Sequence, residues 1–496
     1  MSHGDVDKGQ VTPRSTFYEQ GRFGRLFPML PPFAPDTPSI RDALTELGAP
    51  GGPMDADDDL SDPITLITDP AKSHDNPNNP TMTAGFTFLG QFLDHDMTFD
   101  PTSSLARRQD PESIRNFRIP ALDLDSLYGG GPGASPHLYD RSVDGGRTSF
   151  LTEEISGSTA VSVDGGTRYD LPRNSQGIAL AGDPRNDENL IICQLHLALL
   201  RFHNAVVADV RADLGPTLTD GEIFAEAQRT VRWHYQWLIV HEFLPKTVGQ
   251  SILDDVLTNG PKHYKWRNDP YIPVEFSVAA YRFGHSQVRP SYRANFGTSA
   301  TDASQQFFAL IFNPAAVDPD DPADLRGGCR AARRFIDWQT FFDFGDNRAR
   351  PNKKIDTTLS TVLFNLMGQS PGTPTSLATR NLLRGLTMEL PSGQAVARAM
   401  KLPELAPGDL ADLPPRLHQR TPLWFYILRE AAVTADGEHL GPVGGRIVAE
   451  VIVGLIKGDR QSYLRQAPDW TPTYGSGDAF TIVDLLETAG VVPAIS

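Results

Sequence analysis

Cysteine is nearly absent: the 496 residues hold two, Cys193 and Cys329. That excludes a disulfide scaffold and a cysteine-based metal site. Positive charge is in short supply, with 45 Lys and Arg against 61 Asp and Glu and a formal net charge of −16. Such a balance argues against nucleic acid or an anionic membrane as the main partner. The one basic cluster, Lys262 to Arg267, reads as a solvated loop. Long hydrophobic runs are missing too. The longest apolar stretch, Val448 to Ile456, is broken by Glu450, so no membrane span is expected. Met1-Ser2-His3-Gly4-Asp5 has no apolar signal core, which predicts a cytoplasmic protein or one exported without a leader. The extended apolar alternation that a large sheet needs does not occur.

What is present is helical. A hydrophobic fraction of 39% supports a sizeable core, and 43 Gly with 41 Pro imply many loops between ordered elements. Residues 1–79 read as an irregular, Pro-rich arm wrapping the core, and residues 80–496 as one large, mainly α domain without a linker. Leu195, Leu199, Phe202 and Val206 fall at helical spacing within 184–211, with Asp183 and Pro184 as a start signal. A second long helix is predicted over 221–243, stopped by Pro245, and further helices over 358–367, 393–400, 422–434 and 443–457. Thr159 to Val163 with Gly165-Gly166 suggests a hairpin. Gly129-Gly130-Gly131-Pro132-Gly133 lacks the strand and the Lys-Ser/Thr of a phosphate loop and reads as a turn.

Asp94-His95-Asp96 stands inside the apolar run Gly85 to Met97. Burying two carboxylates without partners costs several kcal/mol each. Consecutive helical residues point about 100° apart, so the three side chains require separate partners. Three further pairs share i,i+3 spacing: Arg185 with Glu188, Arg282 with His285, and Asn381 with Arg384. Residues so spaced lie on one helix face and can meet one ligand. A haem would employ all of them. It is a flat apolar disc with two propionates for arginines and an iron that takes an axial nitrogen.

These stretches, Asp94-His95-Asp96, Arg185 to Glu188, Arg282-Phe283-Gly284-His285 and Asn381 to Arg384, resemble the animal-type haem peroxidases of the peroxidase–cyclooxygenase superfamily. The resemblance runs in family order over roughly residues 80–460. It implies a mostly α-helical fold with haem b between central helices, and a catalytic domain over residues 80–496. The implied activity is oxidation of small donors (phenols, thiocyanate, iodide or bromide) by hydrogen peroxide through a ferryl state.

By the same resemblance, His95 matches the distal histidine, whose ordinary pKa near ~6.5 suits proton transfer. Arg185 matches the distal arginine, and Gln91 a glutamine near the water or halide position. His285 matches the proximal iron ligand, and Asn381 the residue that accepts its other N–H. Arg282 and Arg384 match propionate partners. Asp94 and Glu188 match carboxylates that form esters with haem methyl groups. Asn189 stands where the chlorinating member of the family has a methionine, so no sulfonium link and no strong chloride oxidation are expected. Asp96 matches a calcium ligand. Asp123 and Asp125 would complete that site, with Ile119 and Ala121 contributing backbone carbonyls. Ile119 replaces the usual threonine, and Asp125 stands where serine is common.

Other residues read as structural. His196 with His203 and His234 with His241 suit core or hydrogen-bonding roles, Cys193 an inert helix position, and Trp233 with Trp237 the core. One alternative function is a fatty-acid dioxygenase. Its radical tyrosine would lie three residues before the proximal histidine, where this chain has Arg282, with Tyr281 one step off. A second is a non-enzymatic haem-binding protein on the same scaffold.

Overall fold

Helices build the framework. The computed structural model describes residues 21–73, 75–100, 104–142, 147–214, 217–266, 269–367 and 372–495. The extreme N-terminus and Arg267 lie outside them. The mainly α expectation holds, and no sheet among the described residues exceeds three strands.

Helix α1 (Pro38–Leu47) lies in the segment read as an irregular arm. Its start signal is local: Thr37 caps the Ile40 N–H and Pro38 opens the first turn. Nearby, Gly21–Gly24 pairs antiparallel with Arg115–Asn116 and parallel with Ile272–Pro273.

Helix α2 (Gly85–Met97) carries the Asp94-His95-Asp96 triplet. It is buried on nearly every side; Phe88, Phe92 and Leu93 are almost fully enclosed. Each such side chain contributes roughly 1.5–3 kcal/mol by leaving water. The helix starts where only glycine fits, since a Cβ on Gly85 would lie 2.3 Å from the Phe342 ring.

Helix α3 (Leu190–Leu214) packs on α2 and on α4 (Asp220–Leu238). It is the one helix among the described residues long and apolar enough to cross a membrane, rather than the Val448 to Ile456 region. Its most apolar window is 83% buried inside the protein, as suits a central core helix. It begins at Leu190 rather than at Pro184. Asp183 instead caps a 3-10 turn, Pro184–Asp187, and Asn189 caps α3 by accepting from the Ile192 N–H.

Pro245 does not end the second long helix. A π turn, Ile239–Phe243, follows α4 and changes the register, so Pro245 falls in the first turn of α5 (Leu244–Val248), where its missing N–H is tolerated. The chain turns at Gly249, whose φ is +78°.

Helices α6 (Leu377–Thr387), α7 (Gly393–Met400), α8 (Leu423–Ala435) and α9 (Pro442–Gly458) complete the core, the last three close to their predicted bounds. α6 packs on α1 and α8. The predicted 358–367 helix shrinks to a 3-10 turn, Thr361–Phe364. Carboxylates capture its would-be helical N–H groups: Asp356 takes that of Thr358, and Asp58 that of Thr361. The predicted Thr159–Val163 hairpin is also absent. That segment forms a 3-10 turn, Ser158–Ala160, in a loop closed by the short pair Glu153–Glu154 and Tyr169–Asp170.

Candidate active site

One cavity of about 2000 Å³, counting its open mouth, takes its polar lining mainly from four separated segments. α2 contributes Gln91, Asp94 and His95. The 3-10 turn and its exit contribute Arg185, Glu188 and Asn189. The segment 274–288 contributes Tyr281, Arg282 and His285, and α6 contributes Arg380, Asn381 and Arg384. Phe23 from the N-terminal segment lines it too, as do Phe99, Val274 and Leu363.

The consecutive triplet on α2 does serve three environments. His95 Nδ1 meets Asn186 Oδ1 at 2.8 Å, and His95 Nε2 lies 3.7 Å from Glu188 Oε1. Asp94 accepts from the Thr98 hydroxyl at 3.0 Å and lies 3.9 Å from Arg185 Nη1. Its partly open surface faces the cavity, and burial raises its carboxyl pKa against the pull of Arg185 and Arg282. Asp96 turns the other way, accepting from the Leu124 N–H at 3.2 Å and the Tyr235 hydroxyl at 3.4 Å.

Arg185 and Glu188 stand on a 3-10 turn and its exit, not on an α-helix. Residues i and i+3 eclipse in a 3-10 turn, so both still face the cavity. Arg185 is clamped: its Nε donates to Asp183 Oδ1 at 3.1 Å and its Nη2 to Asp183 Oδ2 at 2.9 Å. Nη2 also donates to the His95 and Thr98 carbonyls, and the guanidinium sits 4.7 Å over the Phe99 ring. Asp183 is fully buried, and although burial opposes it, Arg185 and Arg118 hold its carboxyl well below the usual range. Gly182 lets this turn approach Ser126, whose carbonyl would lie 2.3 Å from an added Cβ. Glu188 accepts from the Gln91 amide. Burial pushes its pKa up to about 8, with Arg185 opposing.

On the other wall, Arg282 and His285 lie on a 3-10 turn, Ala280–Phe283, and the short helix that follows. The expected histidine–asparagine contact forms, but with the amide reversed. Asn381 Nδ2 faces His285 Nδ1 at 2.7 Å, while Asn381 Oδ1 accepts from Arg282 Nη1 at 2.9 Å. The guanidinium can only donate, so it claims the amide oxygen. Arg282 and Arg384 are half-buried on the cavity wall, and the Arg282 charge disfavours that of Arg384. Burial, then the Arg282 charge, brings Arg384 down to about 10. Two half-buried cations beside an apolar cavity with a histidine on its wall suit an apolar disc bearing anionic groups, and the residues fit a haem.

Asp96, Asp123 and Asp125 bring carboxylate oxygens within 4.8 Å of one another. Asp96 Oδ1 is buried with no hydrogen-bond partner among the described residues. Burial, reinforced by the neighbouring carboxylates, drives Asp96 well up and Asp123 to about 7. An orphaned oxygen among crowded acids fits a hard cation. Ile119 and Ala121 precede Asp123 and Asp125 on the same loop, where the Ile119 carbonyl accepts from the Ala121 N–H at 2.8 Å.

Sequence reasoning missed Arg118. It is 3% exposed, its Nε and Nη2 donate to Asp183 Oδ2, and its Nη1 donates to Asp125 Oδ1 at 3.0 Å. It therefore joins the acidic cluster to the clamp on Arg185. No local spacing announces a contact 65 residues away. Asp183 was legible only as a cap, and Asn186 not at all. Of the residues read as structural, His203 bonds Tyr128 and Thr148, His234 bonds Thr230, and His241 bonds Tyr463 and stacks on Trp237. Cys193 is buried against Asp170, which with burial raises its thiol pKa.

Fold and site together define a helical protein built around a buried pocket with a histidine and arginines on both walls. The chain belongs to the Animal haem peroxidase family, which matches residues 109–407. It is 27% identical to the chorion peroxidase of Drosophila melanogaster over 362 residues, 69% of this chain and 41% of that protein. It is 31% identical to the eosinophil peroxidase of Mus musculus over 150 residues, 28% of this chain and 20% of that protein. The chain thus spans less than half the length of these curated relatives. Among solved structures, peroxidase A from Dictyostelium discoideum aligns with TM-score 0.55 at 17% identity, covering 93% of this chain and 91% of that one. The Oryza sativa fatty acid alpha-dioxygenase aligns with TM-score 0.53 at 14% identity, covering 84% and 74%. At these identities both report the fold.

Proposed function

We propose that the protein is a haem peroxidase that oxidises small donors (phenols, thiocyanate, iodide or bromide) with hydrogen peroxide, and that residues 80–496 form its catalytic domain. The observation that carries this reading is the meeting of His95, Arg185, His285, Asn381, Arg282 and Arg384 on one cavity. His285 would hold the iron, and Arg282 and Arg384 the propionates. Bound haem supplies the redox chemistry. His95 takes a proton from hydrogen peroxide at Nε2 and returns it to the departing oxygen. The Arg185 guanidinium stabilises negative charge that develops there, worth roughly 10²-fold or more in rate. Gln91, hydrogen-bonded to Glu188, orients small molecules beside His95.

Asp94 and Glu188 are the candidates for ester links to haem, and Asn189 leaves no sulfur for a sulfonium link. Asp96, Asp123 and Asp125, with the Ile119 and Ala121 carbonyls, would hold calcium. The test is the absorption spectrum of haem-loaded protein before and after stoichiometric hydrogen peroxide. A Soret band that converts, and returns on adding a phenol or iodide, is expected; no haem band at all would sink the reading. Acid–organic extraction that leaves haem on the chain would support the esters.

A second reading, a fatty-acid dioxygenase, is favoured by one observation. Tyr281 lines the cavity, stacked on Phe276, with a buried hydroxyl that has no hydrogen-bond partner among the described residues. Rapid oxygen uptake with linoleate and no added peroxide would support it over the first.

A further inference from the structure

We propose that Asn186 and His196 are positioning residues that hold His95 in the tautomer with a bare Nε2 toward the cavity. This rests on the reading of His95 as the proton acceptor. His95, Asn186 and His196 are 2%, 0% and 1% exposed, so their polar atoms must find partners within the protein. They form a line. His95 Nδ1 meets Asn186 Oδ1 at 2.8 Å, and Asn186 Nδ2 meets His196 Nδ1 at 2.9 Å.

A carboxamide oxygen only accepts and its nitrogen only donates. His95 must therefore carry its proton on Nδ1, and His196 must leave its own Nδ1 bare. Burial drives the His196 pKa down to about 3, so this acceptor stays neutral and available across physiological pH. A neutral His95 protonated at Nδ1 carries no hydrogen on Nε2, and Nε2 is the nitrogen 3.7 Å from Glu188 on the cavity wall. The other tautomer would put a hydrogen where a base is needed.

Position on the chain strengthens the case. Asn186 occupies the same 3-10 turn as Arg185, and Asp183 caps that turn. One short element thus aims the guanidinium and sets the base. His196 is anchored on α3, edge-on to Phe92 of α2 at 6.1 Å. The neutral amide also matters. Among the described residues, the charged groups around His95 include Glu188, Arg185 with Asp183, and the flanking Asp94 and Asp96. A further carboxylate at 186 would favour the imidazolium, which cannot accept a proton.

The test uses full-length protein with ¹⁵N-labelled histidine, loaded with zinc protoporphyrin so that NMR reads the ring nitrogens without peroxide chemistry. His95 is assigned by comparison with His95→Gln. The expected result is His95 protonated at Nδ1 in the wild type. In Asn186→Leu the Nε2–H form should appear, and in His196→Phe it should appear to a smaller extent. In the haem-loaded protein, Asn186→Leu should slow the reaction with peroxide while leaving the Soret band in place. Finding the Nε2–H form in the wild type, or no Nε2–H form in Asn186→Leu, would overturn the proposal. The expected tautomer in a protein that does not react with peroxide would uphold the positioning and remove the peroxidase reading instead.

Discussion

His95 and His285 face the same cavity, and each has an asparagine at its Nδ1, but the two amides present opposite ends. Asn186 offers its oxygen to His95, and its nitrogen is taken by the neutral His196. Asn381 offers its nitrogen to His285, because Arg282 holds its oxygen. The difference lies in the third residue of each chain. A buried neutral imidazole accepts and a guanidinium donates, and each fixes the amide it touches. The same side chain type therefore presents an acceptor to one histidine and a donor to the other. The His95 wall is closed upon itself by Asp183, Arg118 and Asn186. The other wall holds half-buried cations, Arg282 and Arg384, that call for an anion.

The largest separation of the two walls is expected from alanine at each histidine. His285→Ala should lose the haem Soret band after gel filtration. His95→Ala should keep the band and slow the reaction with peroxide by ~10²-fold or more in stopped flow. Equal haem loss in both would erase the distinction. Next comes Asp183→Asn, which leaves Arg118 and Arg185 short of their shared carboxylate. Breaking a buried pair of this kind costs about 3–5 kcal/mol, which urea unfolding would register. A change below ~1 kcal/mol would mean that the clamp is not structural.

Glu188→Gln gives a smaller, pH-dependent effect. Burial raises the Glu188 pKa from 4.5 to about 8, so the fold favours its neutral form. That contribution is present at low pH and is lost as pH rises through about 8. Glutamine does not titrate. The melting temperature of haem-free Glu188→Gln should therefore gain on the wild type progressively between pH 5 and 9, and a constant difference would exclude burial as the cause. Smallest is Asn381→Asp. A carboxylate there accepts from His285 Nδ1–H while still pairing with Arg282, so the reduction potential of the haem-loaded protein should fall by roughly tens of millivolts. An unmoved potential would separate Asn381 from the iron ligand.

Much of the site was legible where its residues share a short stretch. Asp94-His95-Asp96 announced a need for separate partners, and the i,i+3 pairs announced shared faces. The α3 start was misjudged because Asp183 and Pro184 form a valid cap signal, which a 3-10 turn uses before the helix begins. The predicted 358–367 helix failed because distant Asp58 competes for a backbone N–H that no local pattern reserves. Pro245 looked like a stop because a π turn, which moves the register by one residue, leaves no mark in composition.

By itself the sequence determined the helical class, the apolar faces that bury α2 and α3, and which residue types could meet a haem and a hard cation. Those follow from periodicity, polarity and ring or carboxylate chemistry, all local properties. Only the tertiary structure decided that Arg118 bridges Asp125 and Asp183, that Asn186 lies between His95 and His196, and that Arg282 reverses the Asn381 amide. The reason is geometric. A hydrogen bond forms only within about 3 Å and in one direction, and packing alone brings residues 65 or 99 positions apart to that distance.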